Sequence, residues 1–198
     1  MCADTVGTGL NPTRPCTAGE RDDGSQQRQK TFTDNENHSF LVRDLVGNEI
    51  SLLVLIDWID KLAPQATLVA YAPSTATNQG VTVTLVTSEA VQTPIGWTFI
   101  DSMTFTKLIT GNLAMTTSFA DLVGNVGNTG IKVDWIDTTA VVAAVQYTPS
   151  SLTSGEVVAA LSFNKTGVVM TNNGGSTEYL FTGNDAFTFE FRDQAGNT

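Results

Sequence analysis

The chain has 198 residues, with 10 Lys and Arg against 20 Asp and Glu, and its formal net charge is −10. So acidic a chain lacks the basic face that releases phosphate counterions, which excludes nucleic-acid binding. The apolar run from Leu52 to Ile56 ends at Asp57; a membrane-spanning helix needs about 20 apolar residues, so no membrane span is predicted. Apolar residues make up 41% of the chain and charged residues only 15%, so most of it is expected to fold.

Residues 1–30 match nothing else in the chain and are predicted to form an extended tail or a cap. Cys2 and Cys16 bracket a segment of this tail that contains Pro, Gly and Thr. In an oxidising compartment they would close a loop through an internal disulfide, worth about 3 kcal/mol in the chain-entropy model. Free thiols and links between molecules are the alternatives.

An internal repeat of about 75 residues underlies the rest of the chain. Its clearest marker is the motif D-x-x-G-N, which begins at Asp44, Asp121 and Asp193, at intervals of 77 and 72 residues. Two further motifs recur at nearly the same interval: D-W-I-D at 57–60 and 134–137, and Y-x-P-S at 71–74 and 147–150. Such agreement between independent motifs indicates three copies of one structural unit.

The repeats divide the chain into three segments. The first repeat (31–60) holds the back half of a unit, the second repeat (61–137) is complete, and the third repeat (138–198) is expected to lack its last strand. Because these two defects are complementary, the sequence predicts head-to-tail assembly, in which the N-terminal segment of one chain completes the C-terminal unit of the next. The alternative is a stretch of a longer repeat protein.

Short strands are predicted throughout both longer repeats. The alternation of apolar and polar residues from Val81 to Val86 is typical of a strand with one buried face. In the second repeat, strands are predicted at 67–71, 81–86, 97–100, 104–109, 114–119 and 130–135. In the third, they are predicted at 141–147, 157–163, 167–170, 177–181 and 186–191, with a hairpin turn at 172–175. About seven short strands with frequent turns indicate an all-β fold of tandem immunoglobulin-like β-sandwich domains.

Three motifs together carry a resemblance to a known family. They are D-[KT]-x-A-[PV] at 60–64 and 137–141, Y-x-P-S, and F-x-D-x-x-G-N at 119–125 and 191–197. In these motifs residues 31–198 resemble the bacterial immunoglobulin-like repeats of large surface and adhesin proteins. The resemblance implies an extracellular, cell-surface module used in series as a stalk or fibre. The resemblance does not identify a ligand. The expected partners are further copies or neighbouring repeats of the same protein, with a cell-surface glycan or protein as a further candidate.

Acidic residues recur at the predicted ends of the repeats. Carboxylates that converge there would need a cation, and calcium accepts about 6–8 oxygens from Asp, Asn and backbone carbonyls. The resemblance raises the expectation of calcium at these junctions; the alternative is that the residues only build turns through backbone hydrogen bonds. The candidate ligands are Asp57, Asp60, Asp134, Asp137, Asp44, Asn48, Asp121 and Asn125.

The sequence gives little support to catalysis. His38 is the only histidine, so one chain cannot build a catalytic triad or a His-rich metal site around it; it is expected to be exposed in a loop. Trp58 and Trp135 are candidate sugar-stacking platforms or, more simply, plugs at the edge of a domain core. The predicted function is a non-enzymatic structural module, with a glycan-binding or accessory module of a secreted protein as the alternative.

Overall fold

The structure, a computed structural model, describes residues 20–22, 28–44 and 46–198. Cys2 and Cys16, with the disulfide predicted between them, lie outside the described residues. Within these ranges the chain forms fifteen strands and a single turn of 3₁₀-helix, which confirms the predicted all-β fold. No helix in this part of the chain is long and apolar enough to cross a membrane. The chain divides into two compact units, Met1–Lys61 and Leu62–Thr198.

The first unit contains two antiparallel strand pairs. β1 (Glu20–Asp22) pairs with β2 (Arg28–Lys30), and β3 (Glu36–Arg43) pairs with β4 (Glu49–Ile56) along eight residues. β4 carries large apolar side chains on both faces, and four of them are more than half exposed: Ile50, Leu52, Leu53 and Leu55. A two-stranded hairpin is marginally stable in water, and contiguous exposed apolar surface marks a site of interaction.

His38 departs from its prediction. It is buried in β3, not exposed in a loop. Its ring meets Phe40 edge-on at 4.7 Å between ring centres, and Lys30 Nζ lies 2.9 Å from His38 Nδ1. The expectation of an exposed histidine was wrong because the alternation of β3 turns this side chain to the less exposed face of the hairpin.

The second repeat forms two layers of strands. They are β5 (Ala66–Ala72), β6 (Val81–Thr87), β7 (Thr98–Phe99), β8 (Thr104–Ile109), β9 (Leu113–Ala120) and β10 (Val126–Val133). One layer is a four-stranded sheet of order β5–β6–β8–β7, and the other is the β9–β10 hairpin. Their inner faces share a single core, which includes Val81, Val83, Leu85, Phe105, Ile109, Phe119, Ile131 and Val133. This two-layer arrangement is that of a β-sandwich.

The third repeat has a smaller set of paired strands. They are β11 (Ala143–Thr148), β12 (Val157–Phe163), β13 (Val169–Met170), β14 (Glu178–Phe181) and β15 (Phe191–Arg192), with the 3₁₀ turn at Asn173–Gly175. β11, β12 and β14 form one sheet, and β13 pairs with β15. Val157 lies opposite Phe181 here, as Val81 lies opposite Ile109 in the second repeat, so the two sheets share a register.

Two predictions for the third repeat are wrong. The strand predicted at 186–191 is reduced to β15, because the side chain of Asn172 holds this segment: its Nδ2 donates to the Thr188 carbonyl at 2.7 Å, and its Oδ1 accepts from the Glu190 amide at 3.0 Å. The hairpin turn predicted at 172–175 is the 3₁₀ turn, and the strands on either side of it, β13 and β14, belong to different sheets.

Candidate functional site

The three D-x-x-G-N motifs form the same turn. The backbone amides of Asp44, Asp121 and Asp193 each donate to the carbonyl of the Asn four residues later, at 3.0 Å. That Asn returns its backbone amide to the Asp Oδ1 at 2.8 Å and its side-chain Nδ2 to Oδ2 at 2.7 to 2.8 Å. The glycine has φ of 92° to 101° in all three turns, a region that favours glycine. Both oxygens of each carboxylate therefore serve the turn.

These hydrogen bonds keep the turn carboxylates charged. Lys165, followed by the side chain of Asn197, lowers the pKa of Asp193 far below its ordinary value. Burial opposes such a shift at Asp121, yet the hydrogen bonds from Asn125 and from the turn amides still lower its pKa. Hydrogen bonding to the ionised form is the shared cause.

The turn of the third repeat also forms the junction with the second repeat. Asn197 Nδ2 donates to the carbonyl of Asp137 at 2.8 Å, and the amide of Asn78 donates to the carbonyl of Ala195 at 2.9 Å. Both repeats belong to the same compact unit. This D-x-x-G-N turn thus has two roles, since its side chains hold the turn itself and it binds the end of the preceding repeat.

A lysine lies at the centre of this junction. Lys165 Nζ is 2.6 Å from Asp193 Oδ2 and 3.1 Å from Asp137 Oδ2, and the Asp193 side chain is only 4% exposed. Glu89 follows β6 as Lys165 follows β12, and one of its carboxylate oxygens lies within 4.8 Å of one of Asp121. Equivalent positions of the two repeats therefore carry opposite charges beside the same turn aspartate.

Within Leu62–Thr198, the residues predicted to bind calcium have different partners. Asp134 Oδ2 forms an ion pair with Lys132 at 2.6 Å, whereas Asp137 contacts Lys165, so the two carboxylates of that D-W-I-D motif have different partners. Four candidates form hydrogen bonds within their D-x-x-G-N turns: Asp44, Asn48, Asp121 and Asn125. Asp57 and Asp60 follow β4 at exposed positions. Calcium at these residues stays a prediction.

A second repeated contact involves an asparagine that bonds the backbone of the D-W-I-D motif. Asn112 Nδ2 donates to the carbonyl of Ile136, and its Oδ1 accepts from the amide of Ile136, both at 2.9 Å. Asn35 and Ile59 make the same pair of bonds at 3.0 and 2.8 Å. Asn184 holds this place in the third repeat, and the described residues contain no such backbone partner for it.

The two D-W-I-D tryptophans lie in different surroundings. Trp135 Nε1 donates to the carbonyl of Pro73 at 3.1 Å, and its ring meets Tyr71 edge-on at 5.3 Å between ring centres. Trp135 also packs against the core of the second repeat, so it closes the edge of that core. Trp58, in contrast, is 69% exposed.

The third repeat contains the residues that would receive such a tryptophan. Tyr147 and Pro149 are the counterparts of Tyr71 and Pro73, and together with Asn184 they line an open groove. Tyr147 is 55% exposed. Tyr147, Pro149 and Asn184 were not predicted as site residues; the Y-x-P-S repeat marks Tyr147 and Pro149 in the sequence, whereas the role of Asn184 follows from the bonds of Asn112.

Models of known protein families give no match to this chain, and a search of curated proteins gives none either. Its function must therefore be inferred from its own residues.

Proposed function

We propose that this chain is a non-enzymatic structural module of a bacterial surface stalk, adhesin or fibre, built from tandem immunoglobulin-like domains that act in series outside the cell. The observation that carries this proposal is the recurrence of one turn, with the same hydrogen bonds, at Asp44, Asp121 and Asp193. A binding or catalytic site needs its residues only once in a chain. A module that bears load in series needs every unit to be held closed by the same turn.

The contacts at the start and end of the second repeat also support a load-bearing role. Pro64, where the chain enters this repeat, is fully buried. A side chain at Gly127 in β10 would place its Cβ 1.9 Å from the Pro64 carbonyl oxygen, so the entering segment packs directly on the last strand. At the other end, the bonds to Asp137 and from Asn78 fix the next repeat. The bonds to Asp137 and from Asn78 limit bending between the second and third repeats.

A single-molecule pulling experiment on the full chain tests this proposal. We expect one discrete rupture for the second repeat, which would release about 75 residues, or roughly 260 Å of extended chain. Leu85→Ala in the core should lower the rupture force, whereas the exposed Leu122→Ala should leave it unchanged. A chain that extends smoothly without a rupture would overturn the proposal.

A glycan-binding module is the second candidate, and the exposure of Trp58 favours it. An accessible indole ring beside acidic side chains resembles a sugar-stacking platform in its chemistry. If this is the function, a glycan array should show binding that Trp58→Ala abolishes and that the exposed control Leu122→Ala preserves. Absence of binding by the unaltered chain would remove this candidate.

Calcium is the cofactor that this proposal includes. Exposed carboxylates such as Asp57, Asp60 and Asp134 are hard oxygen ligands of the kind calcium prefers. A calcium-stabilised stalk should melt at a higher temperature in calcium than in a chelator. Equal melting temperatures in the two conditions would remove calcium and leave the structural role intact.

A further inference from the structure

We propose that the free edge of β9 in the second repeat is an interaction surface, and that its partner is the same edge of a second copy of the chain. The free edge is defined as the backbone of residues 114–118 on the side of β9 that faces away from β10. Two copies pair β9 with β9 in antiparallel order, which joins two sandwiches side by side. This inference deepens the proposed function, on which it rests, by naming a lateral partner.

The alternation of the backbone determines which groups face this edge. In an antiparallel strand, the amide and the carbonyl of one residue point to one side, and those of the next residue point to the other. Ala120 faces away from β10, because its carbonyl accepts a bond at 2.8 Å from the amide of Gln92, which lies outside that strand. Three earlier residues of β9, at intervals of two, face the same way: Ser118, Thr116 and Ala114.

The free edge has no backbone partner within Leu62–Thr198. In this unit β10 is the only strand that pairs with β9, and the bond from Gln92 lies at the end of the edge. The residues that follow Gln92 leave the edge: Pro94 and Trp97 are both buried, and the Trp97 amide donates to the Pro94 carbonyl at 3.1 Å. The residues at 114, 116 and 118 are exposed, so their amides and carbonyls are accessible.

The third repeat covers the equivalent edge with its own chain. Thr188 and Glu190 hold the places of Thr116 and Ser118, 72 residues later. The side chain of Asn172 bonds the carbonyl of Thr188 and the amide of Glu190. The amide of the residue before Asn172 donates to the carbonyl of Glu190 at 2.8 Å. Three backbone groups that are bonded in the third repeat therefore lack such a bond in the second.

This difference arises from the course of a segment that the structure describes in both repeats. In the third repeat, β13 pairs with β15, and Asn172 extends that contact along the edge. In the second repeat, Gln92 starts the same contact, but Pro94 has no amide to donate and Trp97 is drawn into the core. The second repeat is complete in its strands, and its own residues leave the edge open.

β9 lacks the features that usually protect an open edge. Natural edge strands carry charged side chains, proline or a bulge, which prevent pairing with another chain. The eight residues of β9 include no charged residue and no proline, and their register with β10 is unbroken. In the third repeat, by contrast, Glu190 places a charge at the position of Ser118. Because the whole chain has a net charge of −10, two copies repel each other least along an uncharged edge.

The free edge is complementary to itself. A twofold axis at Thr116 places this residue opposite its own copy, and it places Ala114 opposite Ser118 of the second copy. Each opposed pair exchanges two backbone bonds, which gives about six hydrogen bonds in all. The side chains that meet are small and uncharged, so β9 pairs without rearrangement. The result is one four-stranded sheet of order β10–β9–β9–β10 across two copies.

This contact is lateral, and it differs from the head-to-tail assembly predicted from the sequence. Head-to-tail assembly uses the first and third repeats, whereas the free edge belongs to the second repeat alone. A variant that changes only the edge therefore separates the two kinds of association.

Sedimentation equilibrium of the full chain tests this surface. The unaltered chain should dimerise as its concentration rises, and Thr116→Lys should weaken the dimer about fivefold, because two like charges would then lie directly opposite each other. Thr82→Lys is the matched control, since Thr82 is an exposed threonine on β6, which is an inner strand of its sheet. It should leave dimerisation unchanged. A monomeric unaltered chain, or equal dimerisation of the two lysine variants, would overturn the inference.

Thr116→Pro tests the same edge through the backbone. Proline removes an amide that faces the free edge and leaves the ladder with β10 intact. The variant should therefore keep the circular dichroism of the unaltered chain and lose the dimer. A variant with that spectrum that still dimerises as strongly would contradict pairing through this edge.

Disulfide trapping tests the register in a chain that also carries Cys2→Ser and Cys16→Ser. Thr116→Cys should form a covalent dimer on mild oxidation, because residues paired across the axis lie about 5.5 Å apart between Cα atoms, within the range of a disulfide. Ala114→Cys should link poorly to itself and well to Ser118→Cys in a mixture. If Thr116→Cys links no better than the control Thr82→Cys, the proposed pairing is wrong.

The outcomes separate this inference from the proposed function. The pulling experiment stretches a single chain and does not involve the free edge. A chain that ruptures as expected but stays monomeric in sedimentation would overturn the lateral partner and leave the structural role intact. A chain that dimerises through the edge but extends smoothly would overturn the structural role instead.

Discussion

Three strands of the second repeat (β5, β6 and β8) and three of the third (β11, β12 and β14) pair in the same order and register, but the two repeats differ in how completely they bury equivalent positions. Val81, Val83 and Leu85 on β6 are completely buried, and each contributes to the core. On β12 the equivalent places are held by Val157, Ala159 and Leu161; Ala159 is buried, whereas Val157 and Leu161 are only half-buried. Both strands carry apolar side chains at all three positions. Burial therefore depends on the covering β9–β10 hairpin and not on the pattern of the strand alone.

The same pair of repeats differs in charge at the junction. Lys165 bonds the turn aspartate of the third repeat, whereas Glu89 lies close to the turn aspartate of the second. The backbone of the turn is the same in both. A repeat can thus change the electrostatics at its end by one substitution without altering its fold.

Truncation of the equivalent leucines should give the largest difference between the repeats. Leu85→Ala should lower the free energy of unfolding by about 3 kcal/mol, because it removes a fully buried side chain and leaves a cavity. Leu161→Ala should cost about 1 kcal/mol, since part of that side chain already contacts water. Hydrogen exchange at the amides of β6 and β12 measures both. Equal losses would show that the third repeat is covered in solution.

Gly127→Ala should have the next largest effect. The added Cβ would lie 1.9 Å from the Pro64 carbonyl oxygen and 2.8 Å from Phe119 Cε2, so β10 or the entering segment must move, at a cost of about 2 kcal/mol. Gly130→Ala in the same strand is the matched control, because its Cβ would meet nothing within 4 Å. Urea unfolding of the two variants measures the difference. An equal loss of unfolding free energy in both variants would show that strand propensity, and not the contact with Pro64, is the cause.

The alternation of apolar and polar residues was sufficient to predict a strand where pairing with its neighbouring strands gives the same boundaries. β6 was predicted almost to its bounds, because Val and Leu alternate with Thr along one buried face. β10 begins at Val126, four residues before its prediction, since Gly127, Asn128 and Gly130 have little strand propensity and are ordered by the ladder with β9. Tertiary pairing decided that boundary.

The site was less predictable, because it depends on residues far apart in the chain. Lys165 meets Asp137 and Asp193, each 28 residues away, and no local pattern indicates this contact. The D-x-x-G-N carboxylates were recognised from the repeat, and turn building was one of the two roles predicted for them; the geometry adds the hydrogen bonds through which they build it. Asn184 has a recognisable role only when Asn112 is seen to bond Ile136.

Acid should weaken the junction of the third repeat. The pKa of Asp193 is lowered in the folded state, so this group contributes stability above its unfolded pKa near 3.8 and loses that contribution as the pH falls through the folded value. The melting temperature should therefore fall as the pH drops below about 4. Asp193→Asn should reduce this acid dependence, whereas Asp185→Asn, at an exposed loop position, should not. An unchanged acid profile in the first variant would contradict the assigned contact.

Reversal of the charge at residue 89 should produce the smallest effect and would test whether the D-x-x-G-N turns of the second and third repeats respond alike to a neighbouring charge. Glu89→Lys places an ammonium beside Asp121, as Lys165 already lies beside Asp193. It should raise the melting temperature by a few degrees at low salt, and the gain should shrink as salt screens the pair. Glu156→Lys, at an exposed position, controls for the change in net charge. If calcium stabilises the unaltered chain at this end, the variant should lose that response, because the ammonium would occupy the place of the cation. A variant that gains nothing at low salt and keeps its calcium response would show that the two turns differ in chemistry as well as in charge.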